Sequence, residues 1–293
     1  MSTTVADRGP RPLTTERRAV VGDVELYYTD TPGRTPLVLL HGLSANAASF
    51  TALIRALAPA FRVIAPDLRG RARSGKPATG YGMPEHARDV IALMDKCGID
   101  RAVLAGHSFG GYLAIYLAAH FPERFDRLIV IDAAITSHPR VGEMLKPSLE
   151  RLGKPSPSTD AYLAAIRSAP YMNGMWNDDI EAYFRAELVE NADGTAGSAT
   201  SGSAIAQAAY GLGCEPWLHL VQSVRQPALL INATGAYGEP GAPPLMEEVW
   251  ARATAKAFLD CQYTHVPGNH LTMMFGDGAT AIAREMKTFA DVK

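Results

Sequence analysis

Cysteine is scarce: the three in the chain, Cys97, Cys214 and Cys261, lie far apart. They form no CxxC pair and no Cys/His spacing suited to a structural zinc. A sparse, odd count predicts reduced thiols rather than a disulfide framework. An excess of one charge is also missing. The formal net charge is −2 and 20% of residues are charged, so no basic stripe is available for nucleic acid or an anionic membrane. No apolar run approaches the length of a membrane span. Residues 1–15 are polar, hold Pro10 and Pro12 and contain no apolar stretch, which predicts a flexible tail and no secretory signal. No internal repeat interrupts the pattern. These absences predict a cytoplasmic globular protein that acts on a small molecule and needs neither metal nor cofactor. They do not address its oligomeric state.

What is present is an alternation. Arg17–Val21 and Val24–Thr29 flank Gly22-Asp23 and read as a hairpin. The apolar run Pro36–Leu40 reads as a strand buried on both faces, and Phe61–Ala65, 101–105 and Arg127–Ile131 read as further strands. Between them, Ala47–Ala58, Pro84–Cys97 and Tyr112–His120 read as helices, with Gly98 at the C-cap of the second. The rhythm breaks after Asp132. Within Ala133–Val224 we expect helices over Thr159–Ser168 and Asp178–Glu190, and a mobile loop over Asn191–Gln207, which is rich in Gly, Ser, Ala and Thr. Alternation resumes with Ala228–Asn232, Pro244–Ala257, Gln262–Val266 and Asp277–Ala290. The fold class is therefore α/β, a mostly parallel sheet with helices on both faces. Residues 16–132 and 225–293 form the core, and 133–224 form an inserted helical cap.

Residues 106–110 read Gly-His-Ser-Phe-Gly, directly between a strand and a helix. G-x-S-x-G in that setting is a nucleophile elbow, and it nominates the Ser108 hydroxyl. The flanking glycines remove side chains where the two arms of the turn converge. A serine nucleophile needs a base, and the base needs an orienting acid. Of eight histidines, His270 stands apart. It follows the turn Val266-Pro-Gly-Asn269 at the C-terminal edge of the last strand, where ligands bind in open α/β sheets. Two sheet-edge positions can hold the acid. One carries Asp132, our first choice; the other, after Ala228–Asn232, offers only Glu239. The backbone N–H groups of Phe109 and Leu43 are the expected oxyanion donors, with Gly42 letting its loop approach the nucleophile. His41 reads as an organiser of that loop.

His41-Gly42, Asp67–Ser74, Gly106–Gly111 and Pro267–His270 together make the chain resemble the α/β-hydrolase superfamily over about residues 17–291. The resemblance implies an eight-stranded sheet with one antiparallel strand, a lid after the sixth strand, and the order nucleophile, acid, histidine. The commonest pattern has an aspartate after the seventh strand, which this chain lacks. Certain haloalkane dehalogenases carry the acid after the sixth, as Asp132 would be, but they use an aspartate nucleophile. A serine at that position argues for acyl transfer to water.

The cap aromatics Tyr162, Tyr171, Trp176, Tyr183, Phe184, Tyr210 and Trp217 are candidates to line an apolar cleft over Ser108. We single out Trp176, Tyr183 and Trp217, together with Gly42 and Met273, as substrate-contacting. No Arg or Lys stands out as a partner for a charged acyl group. The expected reaction is hydrolysis of a moderately hydrophobic carboxylic ester or lactone. An amidase, a carbamate or C–C bond hydrolase and a thioesterase need nearly the same constellation. A ligand-binding receptor or a cofactor-free oxygenase on the same fold are alternatives of a different class.

Overall fold

A computed structural model describes residues 13–136, 138–239 and 241–292. Residues 1–12 of the expected N-terminal tail lie outside the described residues, and Thr15 already belongs to a strand. The chain opens with the expected hairpin, β1 (Thr15–Val21) and β2 (Val24–Thr31), turning at Gly22 with φ +57°. Then follow β3 (Thr35–Leu40), a 3-10 turn running into α1 (Thr51–Leu57), β4 (Phe61–Pro66), α2 (Met83–Lys96), β5 (Ala102–His107), α3 (Phe109–His120) and β6 (Phe125–Ile131).

The interruption after β6 contains α4 (Val141–Leu149), α5 (Thr159–Arg167), α6 (Asp178–Arg185), a small antiparallel pair β7 (Leu188–Glu190) and β8 (Ala196–Ser198), α7 (Gly202–Gly213) and α8 (Trp217–Ser223). The core resumes with β9 (Ala228–Ala233), α9 (Glu248–Ala257), β10 (Cys261–Val266) and α10 (Gly276–Ala290).

The main sheet has eight strands in the order β1-β2-β4-β3-β5-β6-β9-β10. β2 runs antiparallel to both neighbours, and the other pairings are parallel. Side chains alternate between two cores, as the two-residue period of a strand requires. Val38, Leu40, Leu104, Leu128 and Leu230 join α2, α3, α8 and α9 on one face. Leu37, Leu39, Val103, Ile129 and Ile231 join α1 and α10 on the other. Each such aliphatic side chain contributes about 1.5–3 kcal/mol when fully buried. The central strands β3, β5, β6 and β9 are mostly apolar because both faces are covered.

Two expectations for the insert need correction. The helix expected over Asp178–Glu190 stops at Arg185. Glu187 then turns inward to receive the Tyr162 hydroxyl at 2.6 Å, and residues 188–190 pair with 196–198. The segment 191–207 is no loop throughout. It contributes β8 and the first half of α7, whose start is capped by Ser201 Oγ accepting from Ala204 N at 3.2 Å. Its small residues reflect close packing rather than mobility. A Cβ on Gly70 would meet the Ala204 methyl at 2.6 Å, and one on Gly211 would meet Gly82 Cα at 3.1 Å. Small side chains let this helix lie against loop backbone.

Candidate active site

β5, β6 and β10 are parallel, so their C-terminal ends share one edge of the sheet. The turn after β5 is tight. A Cβ on Gly106 would lie 1.9 Å from Gly110 O, and one on Gly110 would lie 2.1 Å from Leu40 O. Ser108 sits at the apex with φ +55° and ψ −121°, a strained region for a residue with a side chain. Its amide still extends the ladder, donating to Ile131 O at 2.9 Å. Asp132 repeats the pattern one strand over: φ is +50°, and its amide donates to Ile231 O at 2.7 Å. Two strained residues thus project from adjacent strand ends.

His270, after β10, lies between them. Its Nε2 is 2.9 Å from Ser108 Oγ, and its Nδ1 is 2.6 Å from Asp132 Oδ2. The other carboxylate oxygen, Oδ1, accepts from Ala233 N at 2.8 Å and from Asn232 Nδ2 at 2.9 Å. Asn232 is itself held, accepting from the Tyr263 hydroxyl at 3.1 Å. Glu239 is not among the partners of His270. His107 Nε2 donates to His270 O at 2.8 Å and fixes the backbone that carries the ring.

Phe109 is the first residue of α3, so its N–H has no partner within the helix. Leu43 is anchored from behind: Arg71 Nε donates to its carbonyl at 2.9 Å. A Cβ on Gly42 would stand 3.4 Å from Ser108 Cβ, which places this loop directly beside the nucleophile candidate. His41 Nε2 accepts from Leu68 N at 2.9 Å and its Nδ1 is 2.8 Å from Gly42 O, so both ring nitrogens are spent on the loop. The Asp67–Ser74 stretch also braces backbone. Asp67 accepts from Ala47 N at 2.7 Å and from Arg73 Nε at 2.9 Å.

A family model described as the alpha/beta hydrolase fold matches residues 35–177. The crystal structure of an E-2-(acetamidomethylene)succinate hydrolase superposes with a TM-score of 0.82, covering 95% of this chain and 99% of that one at 24% identity. The chain has the α/β-hydrolase fold. An enol-lactonase from Burkholderia xenovorans LB400 has a TM-score of 0.72 at 22% identity, covering 94% and 100% of the two chains. Among curated sequences, a soluble epoxide hydrolase from Corynebacterium sp. strain C12 is 37% identical over 118 residues. That match covers 40% of this chain and 41% of the relative, so the chain spans about two fifths of it.

In this α/β-hydrolase fold two cavities meet at Ser108. One, of about 80 Å³, is bounded by Gly42, Leu43, Ser148, Arg151, Tyr171, Tyr183, Phe184, Tyr237 and His270. The other, of about 280 Å³, is apolar and bounded by Phe109, Tyr112, Val141, Leu145, Leu212 and Met246. Gly42 and Tyr183 therefore stand where expected, while three expected contacts do not. Trp176 stacks on Phe184 at 6.1 Å away from the cavities, and its Nε1 is 3.4 Å from Glu181. Trp217 packs edge-on against Tyr112 at 4.9 Å, and its indole N–H is used by Leu212 O at 2.8 Å. Met273 is 0% exposed and fills the core under the His270 turn. Tyr210 is 79% exposed. The sequence reading missed Arg151, Tyr237 and Asn232. Only Asn232 carried a signal, a polar residue ending an apolar strand. Among the described residues no group of three or more His, Cys, Asp or Glu is placed to hold a metal ion, and no helix is long and apolar enough to cross a membrane.

Three histidines near the site are kept neutral by burial. His41 is held down at about 4 and His107 at about 3. His86 is pushed well below its ordinary range by burial and by the Arg71 guanidinium 2.8 Å away. In the unfolded chain each titrates near 6.5. Below that pH the unfolded state binds protons that the folded state refuses, so stability falls as pH falls and recovers as it rises. His41 and His107 should each cost on the order of 1 kcal/mol by pH 5.5, and His86 adds to the loss in the same direction. Urea unfolding at pH 7 and pH 5.5 measures this, and equal stabilities at the two would contradict it.

Proposed function

We propose that the protein is a serine hydrolase that cleaves a carboxylic ester or lactone of a moderately hydrophobic small molecule through an acyl-enzyme. The observation that carries this is the unbroken chain Ser108 Oγ, His270, Asp132, with gaps of 2.9 and 2.6 Å. His270 Nε2 takes the Ser108 proton as Oγ attacks the carbonyl carbon. The Leu43 and Phe109 amides receive the developing oxyanion, each such donor being worth about 2.7–4 kcal/mol. His270 then returns the proton to the leaving oxygen. A water molecule, deprotonated by the same nitrogen, releases the acid. Asp132 holds the ring so that Nε2 is the free base.

In this reading residues 133–224 are the lid, and α4 supplies Leu145 and Leu149 to both cavities. The relatives are named for acting on an epoxide, an enol lactone and an acetamidomethylene succinate. Opening an epoxide by a carboxylate nucleophile does not suit a chain with serine at the elbow. Amide, carbamate, thioester and C–C bond cleavage remain the neighbouring alternatives.

A panel of para-nitrophenyl esters and simple lactones tests the reading. Turnover should be accompanied by stoichiometric labelling with a fluorophosphonate, and peptide mass mapping should put the adduct on Ser108. No turnover across the panel together with no label on Ser108 would exclude the proposal. Ligand-dependent thermal shifts without turnover would favour a receptor.

A further inference from the structure

The smaller cavity has an unusual wall. Arg151 lies just beyond α4, and its side chain is 12% exposed. One guanidinium nitrogen, Nη2, meets Glu187, 3.2 Å from Oε1 and 3.3 Å from Oε2. The other two, Nε and Nη1, are buried and have no hydrogen-bond partner among the described residues. Leaving such donors unmade is costly, because they have given up water and received nothing. Glu187 is committed elsewhere as well: it is 0% exposed and accepts the Tyr162 hydroxyl at 2.6 Å. Tyr171, Tyr183 and Tyr237 border the same cavity, with Tyr183 against the guanidinium. Burial pushes all three phenols up, so they are neutral O–H donors at working pH.

A guanidinium offers donors only. The guanidinium therefore keeps two unused N–H groups in the wall of a cavity that Ser108 and His270 also border. The opposite lobe, lined by Val141, Leu145, Leu212 and Met246, offers no such polarity. The two cavities that share Ser108 thus suit an acceptor oxygen on one side of the scissile bond and an apolar group on the other. An ionised acceptor satisfies a buried guanidinium best, since charge-assisted hydrogen bonds are about twice as strong as neutral ones.

Resting on the hydrolase reading, we infer that Arg151 is the specificity-determining residue and binds a carboxylate carried by the substrate, whose other half is apolar. The Arg151–Glu187 pair then serves to aim the guanidinium, with Glu187 occupying Nη2 and leaving Nε and Nη1 to the ligand.

Two ester pairs test this. In one the carboxylate is on the acid side: para-nitrophenyl hemiglutarate against para-nitrophenyl pentanoate, where a methyl replaces the carboxylate. In the other it is on the alcohol side: para-carboxyphenyl butyrate against phenyl butyrate. The carboxylated member of one pair should have a kcat/KM about 10–100-fold higher, the range expected for a hydrogen bond to a charged group. Arg151→Met should abolish that preference. Because it strands a buried carboxylate, Arg151→Met combined with Glu187→Gln is the companion variant. No preference in either pair, or a preference that survives in a folded companion variant, would overturn the inference. Calorimetric binding of glutarate to Ser108→Ala separates it from the hydrolase reading. If no ester is cleaved but glutarate binds and Arg151→Met removes the binding, Arg151 keeps its role while the hydrolase reading fails. If glutarate does not bind and no pair discriminates, the inference falls.

Discussion

Ser108→Ala should lower kcat on any substrate of the panel roughly a millionfold, the scale seen when a triad nucleophile is removed. The variant loses the only atom that can form the acyl-enzyme. It keeps the oxyanion donors and the pocket, so a residual rate of about 10³–10⁴ over water is expected. The fold should survive. Among the described residues the Ser108 side chain has one hydrogen bond, to His270. The strained backbone at φ +55° is set by the convergence of Gly106 and Gly110 rather than by the hydroxyl. Circular dichroism and thermal melting should therefore match the parent while turnover disappears. His270→Ala should lose about as much, and the double variant should lose no more than either alone, because the groups act as a unit. Retained turnover in a purified, folded Ser108→Ala would end the proposal.

What the sequence made legible was local. A strand buried on both faces writes itself as an apolar run, so β3, β5, β6 and β9 could be placed from Leu, Val and Ile alone. The elbow is five consecutive residues, and its steric reason is carried by two of them. His270 was found by its position one turn past β10. The acid was half legible: composition left Asp132 and Glu239, and the 2.6 Å contact of His270 is with Asp132. What stayed hidden depends on partners far along the chain. Arg151 and Glu187 are 36 residues apart with no local pattern linking them. The small residues of α7 look like a linker until Gly70 and Gly82 are seen against them. Trp176 and Trp217 are large and lie in the right segment, but aromatic content alone does not say which way a helix faces.

Asp132→Asn should cost about 10⁴ in kcat, against no more than about twofold for Glu239→Gln. The argument is one of tautomers. Asp132 Oδ1 accepts from two N–H donors, Ala233 N and Asn232 Nδ2. An amide at this position must put its oxygen there, because its nitrogen would face two donors. The amide nitrogen is then left pointing at His270 Nδ1, 2.6 Å from the present carboxylate oxygen. As a donor it requires Nδ1 to accept, which puts the ring proton on Nε2. That nitrogen faces Ser108 Oγ at 2.9 Å and, once protonated, can no longer take the serine proton. The substitution is nearly isosteric and keeps both donors satisfied, so stability should change far less than rate. Glu239→Gln touches no atom of this relay. The comparison is decided by kcat for the two purified variants on the best ester of the panel. Equal losses, or the larger loss in Glu239→Gln, would take the orienting role away from Asp132.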